Sequence, residues 1–159
     1  MAQNQCAVMK FAGIDGQFLE LRILGYQFPH IETAMYDSNW LVVAGNVTHS
    51  RGSWQFTRPC LLTYEAERLA SWMTALVETD RLPTTCAFIE PNLEFRALLH
   101  MNRPVLRVYF DLEAPPQWAS SASGEEVTWV EFPIEELDLR SIARQWRAEL
   151  SAYPQRASR

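Results

Sequence analysis

Most of this sequence is patterned in twos, and only two stretches are patterned in threes and fours. Residues 18–24, FLELRIL, set Leu19, Leu21 and Ile23 against Glu20 and Arg22. Residues 105–112, VLRVYFDL, carry Leu106, Val108, Phe110 and Leu112 on one side. Alternation of this kind marks a strand with one buried face. The spacing lengthens to the helical period of ~3.6 at Leu69, Trp72, Met73, Leu76 and Val77. It does so again at Leu139, Ile142, Ala143, Trp146, Leu150 and Tyr153. A chain patterned this way needs sheet faces for both helical stripes to cover.

The remaining strands fall between these marks. WLVVAGNV (40–47) and SWQFTR (53–58) flank His49-Ser50-Arg51-Gly52, a hairpin turn. Residues 85–90 and 93–99 flank Pro91-Asn92, and residues 127–132 form a last strand. Thr63 and Asp138 are the expected helix N-caps, with Glu65 in the first turn of the first helix. Arg81-Leu82-Pro83 and Pro154 close the two helices, near residues 79 and 153. The stretch 114–126, rich in Pro, Ser and Gly, reads as a loop. The order is β-β-β-α-β-β-β-β-α with short links, which favours antiparallel neighbours. The expected fold is therefore α+β. It has a single curved antiparallel sheet of six to seven strands, with one inserted helix and one C-terminal helix packed on it. The 159 residues suit a single domain, with 1–10 and 155–159 as flexible ends.

Charge narrows the choice of partner. The net charge of -5 gives no basic footprint for nucleic acid. No apolar run reaches the ~18 residues that span a membrane, and MAQNQCAVMKFAG has no signal-peptide core. Three cysteines at wide spacing, Cys6, Cys60 and Cys86, fit a reducing compartment, so the expected location is the cytoplasm. From Asp111 to Asp138 there are eight acidic residues and no Lys or Arg. Seven of them, Asp111, Glu113, Glu125, Glu126, Glu131, Glu135 and Glu136, form the candidate surface for a basic partner.

Catalytic signals are thin. Cys60, His49 and Asp37 can be written as a triad, but Cys60 sits between Pro59 and Leu61-Leu62, a setting for a packed thiol. His30, His49 and His100 are isolated and lack metal-ligand spacing. Glu90 with Glu94, and Asp111 with Glu113, are paired carboxylates that usually decorate a surface. Gly13-Ile14-Asp15-Gly16 is a turn into a strand, not a phosphate loop. Arg140, Arg144 and Arg147 share a face of the last helix, where they suit its dipole. The expectation is no catalytic residue, no metal and no cofactor.

Between two apolar runs lies a polar knot, Tyr36-Asp37-Ser38-Asn39-Trp40. Asp and Asn favour turns because their side chains bond nearby backbone, so Asp37 and Asn39 are expected to hold the start of the strand at Trp40. The same region carries a likeness. ILGYQFP, YDSNWLVVAG, GSWQF followed by PCLLT, a helix bearing Trp72, FIEPNLEF and VYFDLE together resemble the WapI-like family of immunity proteins, over residues 15 to 153. The resemblance implies a small cytoplasmic bacterial protein, encoded beside a polymorphic toxin, that binds and neutralises the toxin domain without catalysis or cofactor. Many toxins of such systems are nucleases with basic clefts, which an acidic surface would complement. It implies no particular contact residue. The competing readings are a small-ligand-binding half-barrel and a small enzyme with an aromatic, carboxylate-lined cleft.

Overall fold

The computed structural model describes residues 8–79, 81–120 and 128–157. Sheet-forming segments come first: β1 (Met9–Ala12), β2 (Phe18–Tyr26), β3 (Trp40–His49) and β4 (Gly52–Leu62). Helix α1 (Thr63–Glu78) follows, then β5 (Thr84–Ala87), β6 (Leu93–His100), β7 (Arg103–Phe110) and β8 (Thr128–Pro133). Helix α2 (Leu139–Leu150) closes the order. The class is α+β and every described strand pair is antiparallel.

The expected single sheet is corrected. There are two four-stranded sheets, β1-β2-β3-β4 and β5-β6-β7-β8. Each is a meander of neighbours, but α1 separates β4 from β5, so nothing places those two edges side by side. Two sheets that each have one apolar face bury more of it face to face than edge to edge. The contacts across the interior show this. Phe11 of β1 stacks on Phe132 of β8 with ring centroids 5.7 Å apart, and Trp54 and Phe56 of β4 meet Phe110 of β7 at 5.2 and 5.9 Å. These rings, with Leu19, Leu21, Val43, Phe95 and Val108, belong to one apolar core shared by both sheets and both helices.

Strand β1 begins inside the stretch expected to be a flexible end. Met9 and Phe11 are fully buried while Lys10 and Ala12 face out. Four residues are too few for their alternation to stand out from the sequence. Within β7 the alternation holds for Leu106, Val108 and Phe110, which are buried. Leu112 lies beyond the strand, exposed, with a left-handed φ of 55°.

The helix ends follow local chemistry. Asp138 caps α2, its Oδ1 accepting from Ser141 N at 3.1 Å. The cap of α1 is Leu62 rather than Thr63. Glu65 is buried, and its carboxylate accepts from Leu62 N at 3.0 Å and from Ile89 N at 2.8 Å. It therefore ties α1 to the connection between β5 and β6. Trp146, fully buried on α2, donates from Nε1 to Ala66 O at 2.8 Å and joins the two helices.

The polar knot is structural at Asn39 but not at Asp37. Asn39 is fully buried, donates from Nδ2 to Met35 O at 2.7 Å and accepts at Oδ1 from the Thr63 hydroxyl at 2.8 Å. Its carbonyl takes Thr63 N at 3.0 Å. Asp37 stays exposed in the turn. One side chain thus links the start of β3 to the start of α1.

Candidate partner-binding site

The acidic segment is divided by the fold. Glu125 and Glu126 lie outside the described residues. Glu131 stands on β8 directly opposite Arg107 of β7. Its carboxylate bonds Arg107 Nε at 2.5 Å and His100 Nδ1 at 2.7 Å. Glu135 bonds Arg103, and Glu136 lies 3.5 Å from the same guanidinium while accepting from Ile14 N at 3.3 Å. The run had no base within it, but the sheet register supplies bases from the neighbouring strand. Three of the seven carboxylates therefore sit in a nearly compensated strip.

Beside that strip, the outward face of the second sheet carries a row of cations and rings. The Arg96 guanidinium sits 4.4 Å from the Tyr109 ring centroid, and that of Arg107 sits 5.1 Å from Trp129. Tyr109 and Trp129 are 5.9 Å apart, and Glu94 bonds Arg96. These groups largely satisfy one another.

Asp111 and Glu113 go elsewhere. They follow the far end of β7, where Glu113 lines a cleft of about 560 Å³ between the two sheets and Asp111 adjoins it in the chain. Its walls are Gln27 from the end of β2, Trp40 from the start of β3, Pro59 of β4, Glu90 and Asn92 from the β5–β6 connection, and Leu112 and Glu113. Local backbone sets each of these. Gln27 N bonds Trp40 O at 2.8 Å, and a register shift in β4 turns Pro59 to the opening. Asp111 N bonds Asn92 O at 3.0 Å, which fastens the β5–β6 connection to the end of β7. Glu113 lies 3.6 Å from Arg58, both exposed. Glu90 is exposed and makes no ion pair among the described residues.

Cys60 lies buried next to this cleft. Burial pushes its thiol up to about 12; nearby Glu113 and Glu90 push the same way and Arg58 opposes them. A thiol held protonated is no nucleophile at neutral pH. His49 closes the β3–β4 hairpin opposite Gly52. Cys60 lies eight residue steps along β4 from Gly52, about 26 Å of extended chain. Cys60, His49 and Asp37 are not assembled. Among the described residues no group of three or more His, Cys, Asp or Glu could hold a metal ion, and no helix is long and apolar enough to cross a membrane.

A comparison with protein families decides the class. The model of the immunity protein WapI-like family matches residues 10–154. The chain belongs to this family. No curated protein and no solved structure matches it.

For this WapI-like chain, most of the motif residues quoted from the sequence serve packing: Asn39, Phe88, Leu93 and Phe95 are buried. FIEPNLEF does more than pack, because Glu90 and Asn92 line the cleft. Sequence reading paired Glu90 with Glu94, but the fold parts them. Glu94 faces outward beside Arg96, and Glu90 belongs to the cleft. The contribution of Asn92 was missed. Its one available signal was its place after Pro91, in a connection that must present polar groups where two sheets meet.

Proposed function

We propose that this chain neutralises a toxin domain by binding it one-to-one, in the cytoplasm of the cell that makes both, and that it performs no catalysis. The observation that carries this reading is membership of the WapI-like immunity family across residues 10–154. Binding needs only a complementary surface, and a net charge of -5 favours a basic partner. A toxin that handles nucleic acid would present such a surface. Of the acidic residues put forward for contact, Asp111 and Glu113 are exposed, and only Glu113 has a cation beside it, the exposed Arg58. Glu131, Glu135 and Glu136, held by arginines, serve more as a polar rim, and Glu125 and Glu126 add to the long-range field.

The direct experiment is co-expression with the toxin domain encoded beside this gene. The expected result is restored growth and a one-to-one complex on size-exclusion chromatography. Growth arrest despite a folded, abundant immunity chain, with the two proteins eluting apart, would overturn the reading.

A further inference from the structure

The cleft between the ends of the two sheets holds unspent binding capacity. Asn92 is 3% exposed, and its Nδ2 has no hydrogen-bond partner. A buried amide donor left unpaired is costly, and such groups are usually satisfied. Asn92 is one of the residues lining the cleft, so its unpaired donor lies just beneath the wall that a partner's acceptor would meet. The charges around it are unbalanced as well. Glu90 and Glu113 line the cleft, Asp111 adjoins it in the chain, and among the described residues Arg58 is the one cation paired with them. Trp40 adds a half-buried aromatic surface, of the kind that attracts a cation over its face. At the rim, Leu112 is held in a left-handed backbone conformation with its side chain 55% exposed. A leucine displayed in this way offers an apolar contact beside the charged ones.

Resting on the immunity reading, we propose that this cleft receives an arginine side chain carried on a protruding loop of the toxin domain. The guanidinium lies against Trp40 and bonds the carboxylates of Glu90 and Glu113. A backbone carbonyl of the same loop accepts from Asn92 Nδ2. Arginine fits better than lysine because its planar fork serves a ring face and two carboxylates together. The occupant is thus a basic loop, chosen by two acidic side chains, one buried donor and one ring.

The test uses the full-length chain and the toxin domain encoded beside its gene, with affinities measured by titration calorimetry. Two variants are compared with wild type: the double variant Glu90→Gln/Glu113→Gln, and Asn92→Leu. Glu90 and Glu113 are exposed, so the double variant keeps its fold. Asn92→Leu removes an unpaired donor, so its melting temperature stays level or rises. Each variant is expected to bind the toxin at least about tenfold more weakly. Wild-type affinity in both would overturn the cleft assignment while leaving the immunity reading in place. A concentration-dependent dimer of the chain, abolished by Asn92→Leu, would overturn it in favour of a second copy as occupant.

If the wild-type chain binds no toxin, the immunity reading fails, and the cleft is judged by a second probe. Acetyl-Gly-Arg-Gly-amide is titrated against the Trp40 indole resonance, with the citrulline peptide as the neutral control. A saturable shift with the arginine peptide, lost in Glu90→Gln/Glu113→Gln, keeps the cleft as a guanidinium site. Equal shifts with both peptides, or none, would remove it.

Discussion

Asn39 and Arg156 hydrogen-bond each other twice across 117 residues of chain: Asn39 Nδ2 donates to Arg156 O at 2.5 Å, and Arg156 N donates to Asn39 Oδ1 at 2.8 Å. The guanidinium of Arg156 then donates to Pro29 O and Ile31 O at 2.8 and 3.2 Å and sits 3.7 Å from the Tyr26 ring centroid. The segment after Pro154 is therefore pinned at this point. Asn39→Ala strands several buried groups at once and should cost about 2–3 kcal/mol. Asn39→Asp should cost as much, because it turns an acceptor toward the carbonyls of Met35 and Arg156. Urea denaturation gives the stability. Trypsin cutting at Arg156 should be faster in either variant, and toxin binding by the folded fraction should be unchanged. Intact stability with lost binding would move Asn39 into the partner surface.

Gly45 of β3 lies under the ring of Phe56. A Cβ added there would stand 2.2 Å from a ring carbon, and the ring cannot swing away because it packs on Phe110. Gly45→Ala should destabilise by about 1–3 kcal/mol through overpacking. The double variant Gly45→Ala/Phe56→Leu should recover part of that loss, since the two sites share one space. Additive losses in denaturation would show that the strain lies in the backbone instead.

Cys60 and Cys86 are both buried, and burial raises both thiols. In a Cys6→Ser background, native protein at about pH 8 should leave a disulfide-exchange reagent unreacted, while unfolded protein reacts at two thiols. Rapid labelling of Cys60 in the native state would mean that the cleft above it opens.

How far the sequence exposed all this depended on the range of each interaction. Asp138 was legible as a cap because its partner, Ser141 N, is three residues away. Glu65 was placed in the first turn of α1, but its bond to Ile89 N spans 24 residues and no local pattern shows it. Strands β2 to β8 were legible because alternation is local, while β1, with four residues, was too short to show it. Their division into two sheets was not, because alternation says which face is buried and nothing about which edges meet. The acidic run looked uncompensated for the same reason. Arg103 and Arg107 precede it in sequence and oppose it only through the β7–β8 register. The cleft combines residues from position 27 to position 113, so no single motif could announce it.

Glu149 gives a pH dependence with a definite sign. Its Oε1 accepts from Ile23 N at 2.6 Å, while Oε2 is buried without a partner. Burial pushes the carboxyl above its ordinary 4.5; the Ile23 bond and Arg22 pull the other way, and Glu20 adds to the rise. The folded chain therefore holds this proton more tightly than the unfolded chain. The stability it contributes is present below the ordinary value and is lost as pH rises through the higher folded one. Glu149→Gln keeps an acceptor for Ile23 N and removes the titration. Its stability relative to wild type should grow from about pH 4 to pH 7, read from denaturation curves at several pH values. A constant difference would show that Glu149 does not titrate differently on folding.

Charge placement predicts which end of the molecule meets a toxin first. The β7–β8 strip sets Glu131, Glu135 and Glu136 against Arg103 and Arg107, so its field nearly cancels. The cleft end sets Glu90, Asp111 and Glu113 against Arg58 alone among the described cations paired there. Electrostatic attraction acts mainly on the association rate, and salt screens it over about 8–10 Å. Glu90→Lys/Glu113→Lys should therefore slow association at least about tenfold at low salt, with the gap closing as salt is added. Glu135→Lys/Glu136→Lys makes the same change in net charge at the strip and should slow it by less than about threefold. Glu90, Glu113 and Glu135 are exposed and contribute little to stability. Glu136 is 14% exposed and holds Ile14 N, so circular dichroism must first show that the Glu135→Lys/Glu136→Lys protein is folded. Stopped-flow mixing with the toxin domain at two ionic strengths gives the ranking. The reverse order would place the contact on the β7–β8 strip and its row of Arg96, Tyr109, Arg107 and Trp129, and away from the cleft.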